Sequence, residues 1–395
     1  MSERVFVGGV GMIPFAKPGK SDTYQQMGSA AAKLAIEDAG IDYAEIGRAF
    51  VGYVYADSTA GQAALYPIGL TGIPIFNVNN NCASGSSALF LAREAVASGQ
   101  ADIVLALGFE QMEPGALGAT FSDRPSPLMR TWETVFEIQG FDKDSPPTAQ
   151  LFSGAANDYD ARYGLEDMTL AKIAEKSRRH AGKNPFAIFR DPMTAEEVLA
   201  SPTVHGRLTR LQCCPPTSGA AATVLMSERA MRRAGITNAV EIAGQAIVTD
   251  MPSTFDERSM MKIVGYDLTK EAARQVYEQA GVGPEDVDVV ELHDCFTVNE
   301  LISYEALGLV GEGDASRAIA KGDNTYGGAF VANPSGGLLS KGHPLGATGL
   351  AQCAELVWQL QGRAGERQVP QARIGLQHNI GIGGACVVTA FVGAA

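Results

Sequence analysis

The sequence predicts an α/β protein assembled from two copies of one folding unit. Three observations lead there. Short apolar strands alternate with helical stretches, a set of landmarks recurs in the second half, and a region rich in Gly, Pro and acidic residues interrupts the first half.

Arg4 to Val10 reads as the opening strand, closed by Gly11 and Pro14. A helix follows from about Thr23 to Ala39, with Gly40 as its C-terminal stop. Ala49 to Val54, Ile75 to Val78 and Ile103 to Leu107 read as strands separated by helical stretches. Glu113 to Pro147 breaks this alternation, and helices with a basic face follow from about Thr169 to Arg190. Beyond Pro215-Pro216, Gly219 to Met226 restores a strand. Val240 to Val248 opens a second alternating series that ends in the strand Cys386 to Val392.

The repeat is visible residue by residue. Ala31-Ala32 and Glu37-Asp38-Ala39-Gly40-Ile41 recur as Ala272-Ala273 and Glu278-Gln279-Ala280-Gly281-Val282. Cys82-Ala83-Ser84-Gly85-Ser86-Ser87-Ala88-Leu89 matches the spacing of His343-Pro344-Leu345-Gly346-Ala347-Thr348-Gly349-Leu350, and Gly219 to Val224 echoes Gly383 to Val388. Two copies related by a pseudo-twofold axis would place equivalent helix N-termini face to face, so Cys82 and His343 would meet. The expected division is an N-terminal half, 1–112, completed by 212–236; an inserted lobe, 113–211; and a C-terminal half, 237–395.

Composition narrows the function. With 395 residues, 46% hydrophobic and 19% charged, the chain can bury a large core. A net charge of −13 argues against nucleic acid as the main partner, because that affinity rests on basic surface. The six cysteines show no zinc-site spacing and no disulfide framework, so no metal is expected. The chain opens directly into a strand without a basic-then-apolar leader, contains no run near the roughly 18 apolar residues of a membrane span, and lacks a terminal Ser-Lys-Leu. These features lead to the expectation of a reducing cytoplasm.

Chemistry-bearing residues cluster at element ends. Cys82 stands where a β-branched strand gives way to a helical run from Ala88 to Ala97, a setting in which helix N–H groups lower a thiol's pKa. A nucleophile and a small buried hydrophobe are the two readings of it. His343 lies in a glycine-rich approach to a helix, with Pro344 suited to the first turn, and could take the Cys82 proton. His293 and Cys295 follow the apolar strand Val287 to Val290 and project to one side of an extended segment. Gln377 to Gly384 reads as a glycine-rich turn whose N–H groups could face an oxyanion, with His378 as a loop residue or more. Cys386 reads as core packing, and Cys213-Cys214 as structural or, the lesser reading, an exposed redox pair.

Taken together, Asn80-Asn81-Cys82-Ala83-Ser84-Gly85, His293-Asp294-Cys295-Phe296, Gly342-His343-Pro344-Leu345-Gly346-Ala347-Thr348-Gly349 and His378-Asn379-Ile380-Gly381-Ile382-Gly383-Gly384 resemble the motif set of the thiolases, most closely the sterol-carrier-protein type. The motifs stand in the family's order along almost the whole chain. The resemblance implies a five-layered αβαβα core of two βαβαβαββ halves, an inserted loop domain, and a homodimer or homotetramer. It implies that Cys82 is the acyl-accepting nucleophile and His343 its activator. Asn379 stands where many thiolases carry a second cysteine, and Cys295 is implied to replace that cysteine as acid/base. His293 takes the place of an asparagine that orders an oxyanion-hole water, and the N–H groups of Cys82 and Gly381 form the other hole. The implied reaction is thiolytic cleavage of a 3-oxoacyl-CoA to acetyl-CoA or propionyl-CoA and a shortened acyl-CoA, or the reverse Claisen condensation. Coenzyme A is then a co-substrate, with no permanently bound cofactor.

Coenzyme A is polyanionic, and within this acidic chain Lys172, Lys176, Arg178, Arg179, His180, Lys183 and Arg190 offer a local basic face. A solvated helix face is the plainer reading. Cys214 stands where several thiolases place a serine near the pantetheine. A ketoacyl-synthase-like condensing enzyme also fits a Cys82, His293 and His343 pattern. A non-catalytic acyl-CoA-binding partner of an aldolase or a separate lipid carrier is the third reading.

Overall fold

A computed structural model describes residues 3–114, 121 and 123–394. Its strands, in chain order, are β1 (Val5–Met12), β2 (Arg48–Gly52), β3 (Ile75–Val78), β4 (Ile103–Glu110), β5 (Thr203–His205), β6 (Leu208–Thr209), β7 (Gly219–Ser227), β8 (Val240–Val248), β9 (Val289–Glu291), β10 (Val331–Ala332), β11 (Ile374–Gly381) and β12 (Ala385–Val392). Ten of them form one sheet in the order β10-β9-β11-β12-β8-β1-β7-β4-β2-β3, and β5 pairs with β6. That order reads alike from either end. β1 and β8 meet antiparallel at the centre, through Phe6 with Glu241 and Val7 with Val240, and each is flanked by an antiparallel strand before parallel strands complete its half.

Helices complete five layers. Tyr24–Ala39 packs on β1 and β7 outside one half-sheet, and Tyr266–Ala280 packs on β8 and β12 outside the other. Both end on a left-handed glycine, Gly40 at φ 64° and Gly281 at φ 67°, as a C-terminal stop requires. Ser84–Ala97 and Thr348–Leu360 lie against each other between the half-sheets. Leu89, Ala92 and Val96 share a core there with Leu350, Ala351 and Ala354. Thr348–Leu360 is buried along nearly its whole length and needs no polar face, whereas Ser84–Ala97 keeps Leu91 and Glu94 exposed.

Local predictions failed in two places. The helix after Cys82 starts at Ser84, because the Ser84 hydroxyl donates to the Asn81 carbonyl at 2.7 Å and closes the turn early. The glycine-rich turn is shorter than expected. His378 and Asn379 belong to β11, which pairs with β12 as far as Gly381 opposite Ala385, leaving Ile382-Gly383-Gly384 as the turn. Within residues 123–211 of the expected insert, Leu151, Phe152, Tyr159 and Ile173 share a core with Leu301, Ile302 and Tyr304. Residues 115–120 and 122 of that insert lie outside the described ones.

Candidate active site

Four chain segments meet at the cavity. Cys82 follows β3, His293 and Cys295 follow β9, His343 precedes Thr348–Leu360, and Gly381 ends β11. Cys82 Sγ and one ring nitrogen each of His293 and His343 lie within 4.8 Å of one another. The two imidazole rings are 5.1 Å apart and nearly perpendicular. All five residues border a cavity of about 210 Å³, whose other walls are largely apolar, among them Leu151, Phe152, Leu268 and Ile380.

Glycine geometry sets these approaches. A Cβ on Gly381 would lie 2.0 Å from the Asn80 carbonyl oxygen, so only glycine lets β11 press against the Cys82 turn. Gly342, at φ 118°, brings His343 against Thr217, whose hydroxyl accepts the His343 backbone N–H at 3.1 Å. Asn81, itself at φ 49°, donates from its amide to the Ile382 carbonyl at 2.6 Å and ties the two turns together.

The thiols and imidazoles bordering the cavity are held in their neutral forms. Burial pushes the Cys82 thiol up to about 12; the nearby Glu110 carboxylate adds to the rise, and a backbone N–H opposes it. This corrects the expectation of a thiolate resident at a helix start: Cys82 precedes the first helical residue, and desolvation outweighs the N–H groups. Burial holds His343 down to about 3, and His293 well below its ordinary value, where repulsion between its charged form and the neighbouring His343 and His378 rings adds. The His343 Nδ1 lies 2.7 Å from Thr348 Oγ1, whose hydroxyl reaches the Pro344 carbonyl at 3.0 Å. The Nδ1 therefore donates, and Nε2 keeps a bare lone pair; it is buried without a hydrogen-bond partner. Cys295 is raised well above the ordinary thiol range by burial, with the Cys214, Cys82 and Asp294 charges adding.

Asn379 stands behind His293, its Nδ2 2.9 Å from the ring Nδ1. His378 turns away, its Nε2 2.9 Å from Thr269 Oγ1, and Cys386 is buried beside the same hydroxyl. The basic face fares differently. Lys176 is buried and ion-paired with Glu300, so its ammonium is spent inside the fold. Arg178 lies over Phe189 and reaches Ser340, Arg179 reaches Thr325 at 3.3 Å, and Lys183 lies over Tyr326. None of the four borders the cavity.

Sequence reasoning missed Glu110. It ends the apolar strand β4, is fully buried, and accepts backbone N–H groups from Tyr55, Val54 and Gly346 at 2.8, 3.1 and 3.0 Å. Burial lifts it to about 7 against those three bonds. A carboxylate closing an otherwise apolar strand was the available signal. Among the described residues, Cys82, His293 and His343 are also the one group whose donor atoms could converge on a metal ion, a set of zinc-compatible types with one nitrogen free on each ring.

Comparison with known proteins agrees with this fold. Residues 5–229 match the family described as "Thiolase, N-terminal domain" and residues 252–393 that described as "Thiolase C-terminal domain-like". The chain belongs to the thiolase family. It is 53% identical to "Sterol carrier protein 2" of Rattus norvegicus over 98% of this chain and 72% of that protein. It is 38% identical to "Acetyl-CoA acetyltransferase" of Methanothermobacter thermautotrophicus over 93% and 94% of the two chains. Solved structures of similar fold include the "Ltp2-ChsH2(DUF35) aldolase" (TM-score 0.83, 23% identity, 99% and 98% covered). The human mitochondrial 3-ketoacyl-CoA thiolase in complex with CoA is another (0.73, 19%, 100% and 98%). Membership assigns the chain broadly to acyl-CoA acyltransferase chemistry. Among the described residues, no helix is long and apolar enough to cross a membrane.

Proposed function

We propose that this chain is a thiolase that cleaves a 3-oxoacyl-CoA through a Cys82 acyl-enzyme. The observation that carries the reading is the convergence of Cys82, His343, His293 and Cys295 on one largely apolar cavity. The bare Nε2 of His343 takes the Cys82 proton as sulfur attacks the 3-keto carbon. The N–H groups of Cys82 and Gly381 receive the oxyanion. The C2–C3 bond then breaks, Cys295 gives its proton to C2, and acetyl-CoA leaves, or propionyl-CoA from a 2-methyl substrate. Cys295, now a thiolate, takes the proton of an incoming CoA thiol. That sulfur attacks the acyl-enzyme, and His343 returns its proton to Cys82. The same groups run the Claisen condensation in reverse.

Lys172, Arg178, Arg179, Lys183 and Arg190 are partly or fully exposed and are the remaining basic candidates for the CoA phosphates. The division into halves 1–112 with 212–236, and 237–395, with 113–211 inserted, is retained as a proposal supported by the mirrored strand order. Edge strand β3, with Phe76 exposed, suits pairing with a second copy of the chain. Cys295 at the cavity favours this reading over a ketoacyl-synthase-like enzyme, which needs no added acid/base thiol. A non-catalytic acyl-CoA-binding role predicts no turnover. The test is incubation with a panel of 3-oxoacyl-CoA thioesters and free CoA, following substrate loss and shortened acyl-CoA. Absence of shortened product across the panel rejects the proposal.

A further inference from the structure

Behind His293 lies a buried chain of polar groups whose hydrogens can be assigned from a group that only accepts. Gln377 Nε2 lies 2.6 Å from the Gly349 carbonyl oxygen, so that atom is the amide nitrogen. Gln352 agrees: its own Nε2 donates to the His378 carbonyl at 3.1 Å, which turns its Oε1 toward Gln377 Nε2 at 3.3 Å. The second Gln377 N–H is shared between Ser86 Oγ at 3.0 Å and the more distant Gln352 Oε1. The Ser86 hydroxyl hydrogen then goes to Asn379 Oδ1, 2.9 Å away. With Oδ1 held there, the Asn379 NH2 faces His293 Nδ1 at 2.9 Å.

An NH2 group can only donate. His293 Nδ1 therefore carries the lone pair, and the ring proton sits on Nε2. His343 is the opposite tautomer, with its proton on Nδ1 toward Thr348 and its lone pair on Nε2. Two neutral imidazoles 5.1 Å apart thus have opposite polarity.

We propose that Ser86 and Gln377 are positioning residues that fix His293 as the Nε2–H tautomer, so that it donates a hydrogen bond to the enolate oxygen formed at the thioester. Without that constraint His293 would present a second lone pair and compete with His343 for the Cys82 proton. Ser86 lies in the first turn of the helix that starts just after Cys82, so that helix also sets the polarity of the nucleophile's neighbour. The enolate role rests on the thiolase reading above. The tautomer does not.

The experiment is nitrogen-15 NMR of the full chain with labelled histidine, the His293 signals identified by their loss in His293→Gln, beside thiolytic turnover. Wild-type protein should show an unprotonated Nδ1 and a protonated Nε2 on His293. Ser86→Ala should mix the tautomers. Asn379→Asp, which offers an acceptor where the NH2 was, should invert them. In both variants turnover should fall on the order of 10²-fold, as loss of one oxyanion-hole donor does, while acetylation of Cys82 by acetyl-CoA stays within about threefold. A wild-type His293 protonated on Nδ1, or a tautomer unchanged in both variants, overturns the proposal. A shifted tautomer with unchanged turnover overturns the donor role. If wild-type protein cleaves no substrate, the thiolase reading fails while the NMR still decides the tautomer.

Discussion

Gly85 backs onto Gly346 so closely that a Cβ on Gly85 would lie 2.5 Å from the Gly346 carbonyl oxygen. The two glycines occupy equivalent places in the repeat, three residues after Cys82 and three after His343. Their contact is what lets the two helix starts, and hence the thiol and the imidazole, approach. Gly85→Ala should therefore separate the pair. Overpacking typically costs about 1–3 kcal/mol, yet turnover should drop by more than stability alone explains. Denaturant unfolding beside turnover checks this, and full activity in a folded Gly85→Ala protein would sink it.

The Cys82 sulfur is held as a thiol, its pKa pushed up to about 12. Its alkylation by iodoacetamide should rise about tenfold per pH unit through the neutral and alkaline range, following the thiolate fraction. The rate should show no plateau before the protein unfolds. A plateau at neutral pH, as a stable thiolate–imidazolium pair would give, contradicts this.

Acid stability should depend on a histidine that does not border the cavity. His378 is held at about 3 by burial, against an ordinary value of 6.5. Its folded pKa is depressed, so the neutral form stabilises the fold above pH 6.5, and that contribution falls as pH drops toward 3. Glu110, raised to about 7, acts in the opposite sense, favouring the fold below pH 4.5 and losing that effect as pH rises through 7. Replacing His378 with Gln should flatten the fall in stability below pH 6.5 by on the order of 1 kcal/mol per pH unit. Urea midpoints at pH 7 and 5 measure it; parallel slopes for the two proteins would refute it.

Lys176 separates a structural role from a ligand-binding one. Its ammonium pairs with Glu300 in the interior, where Tyr304 also donates to the carboxylate. Removing one partner of a buried pair costs about 3–5 kcal/mol. Lys176→Met should lower stability by about that much, with the KM for CoA within about twofold. A many-fold rise in that KM at unchanged stability would restore Lys176 to a CoA-binding face.

The duplicated fold was legible because Gly40 and Gly281, and Cys82 and His343, recur in one pattern. The meeting of Cys82 and His343 followed from that symmetry. Proton positions did not, since they depend on partners such as Thr348 and Asn379 whose alignment only the packed structure sets. The charge on Cys82 was misjudged because helix polarity is a local feature, whereas desolvation depends on everything around the sulfur. Lys176 was misplaced for a related reason: a basic run gives no sign of Glu300, 124 residues away, reaching it from another helix.

Cys295 and Cys386 give the sharpest division between chemistry and packing. Cys295 borders the cavity beside His293, and its backbone carbonyl accepts the Cys214 N–H at 2.8 Å, fixing the strand end that carries it. Cys386 pairs with Ile380 across β11 and β12, is fully buried 3.7 Å from the Thr269 hydroxyl, and does not border the cavity. Its conversion to Ala removes one small buried group and should leave turnover within a few-fold. Cys295→Ala removes the proposed acid/base, a contribution typically worth roughly 10²–10⁴-fold in rate. Acylation of Cys82 by a simple acyl-CoA should survive in both variants, because that step uses His343. Intact-mass labelling with acetyl-CoA, run beside thiolytic turnover, separates the two steps. If Cys386→Ala loses turnover while a folded Cys295→Ala keeps it, the proton donor must be sought on the last strand.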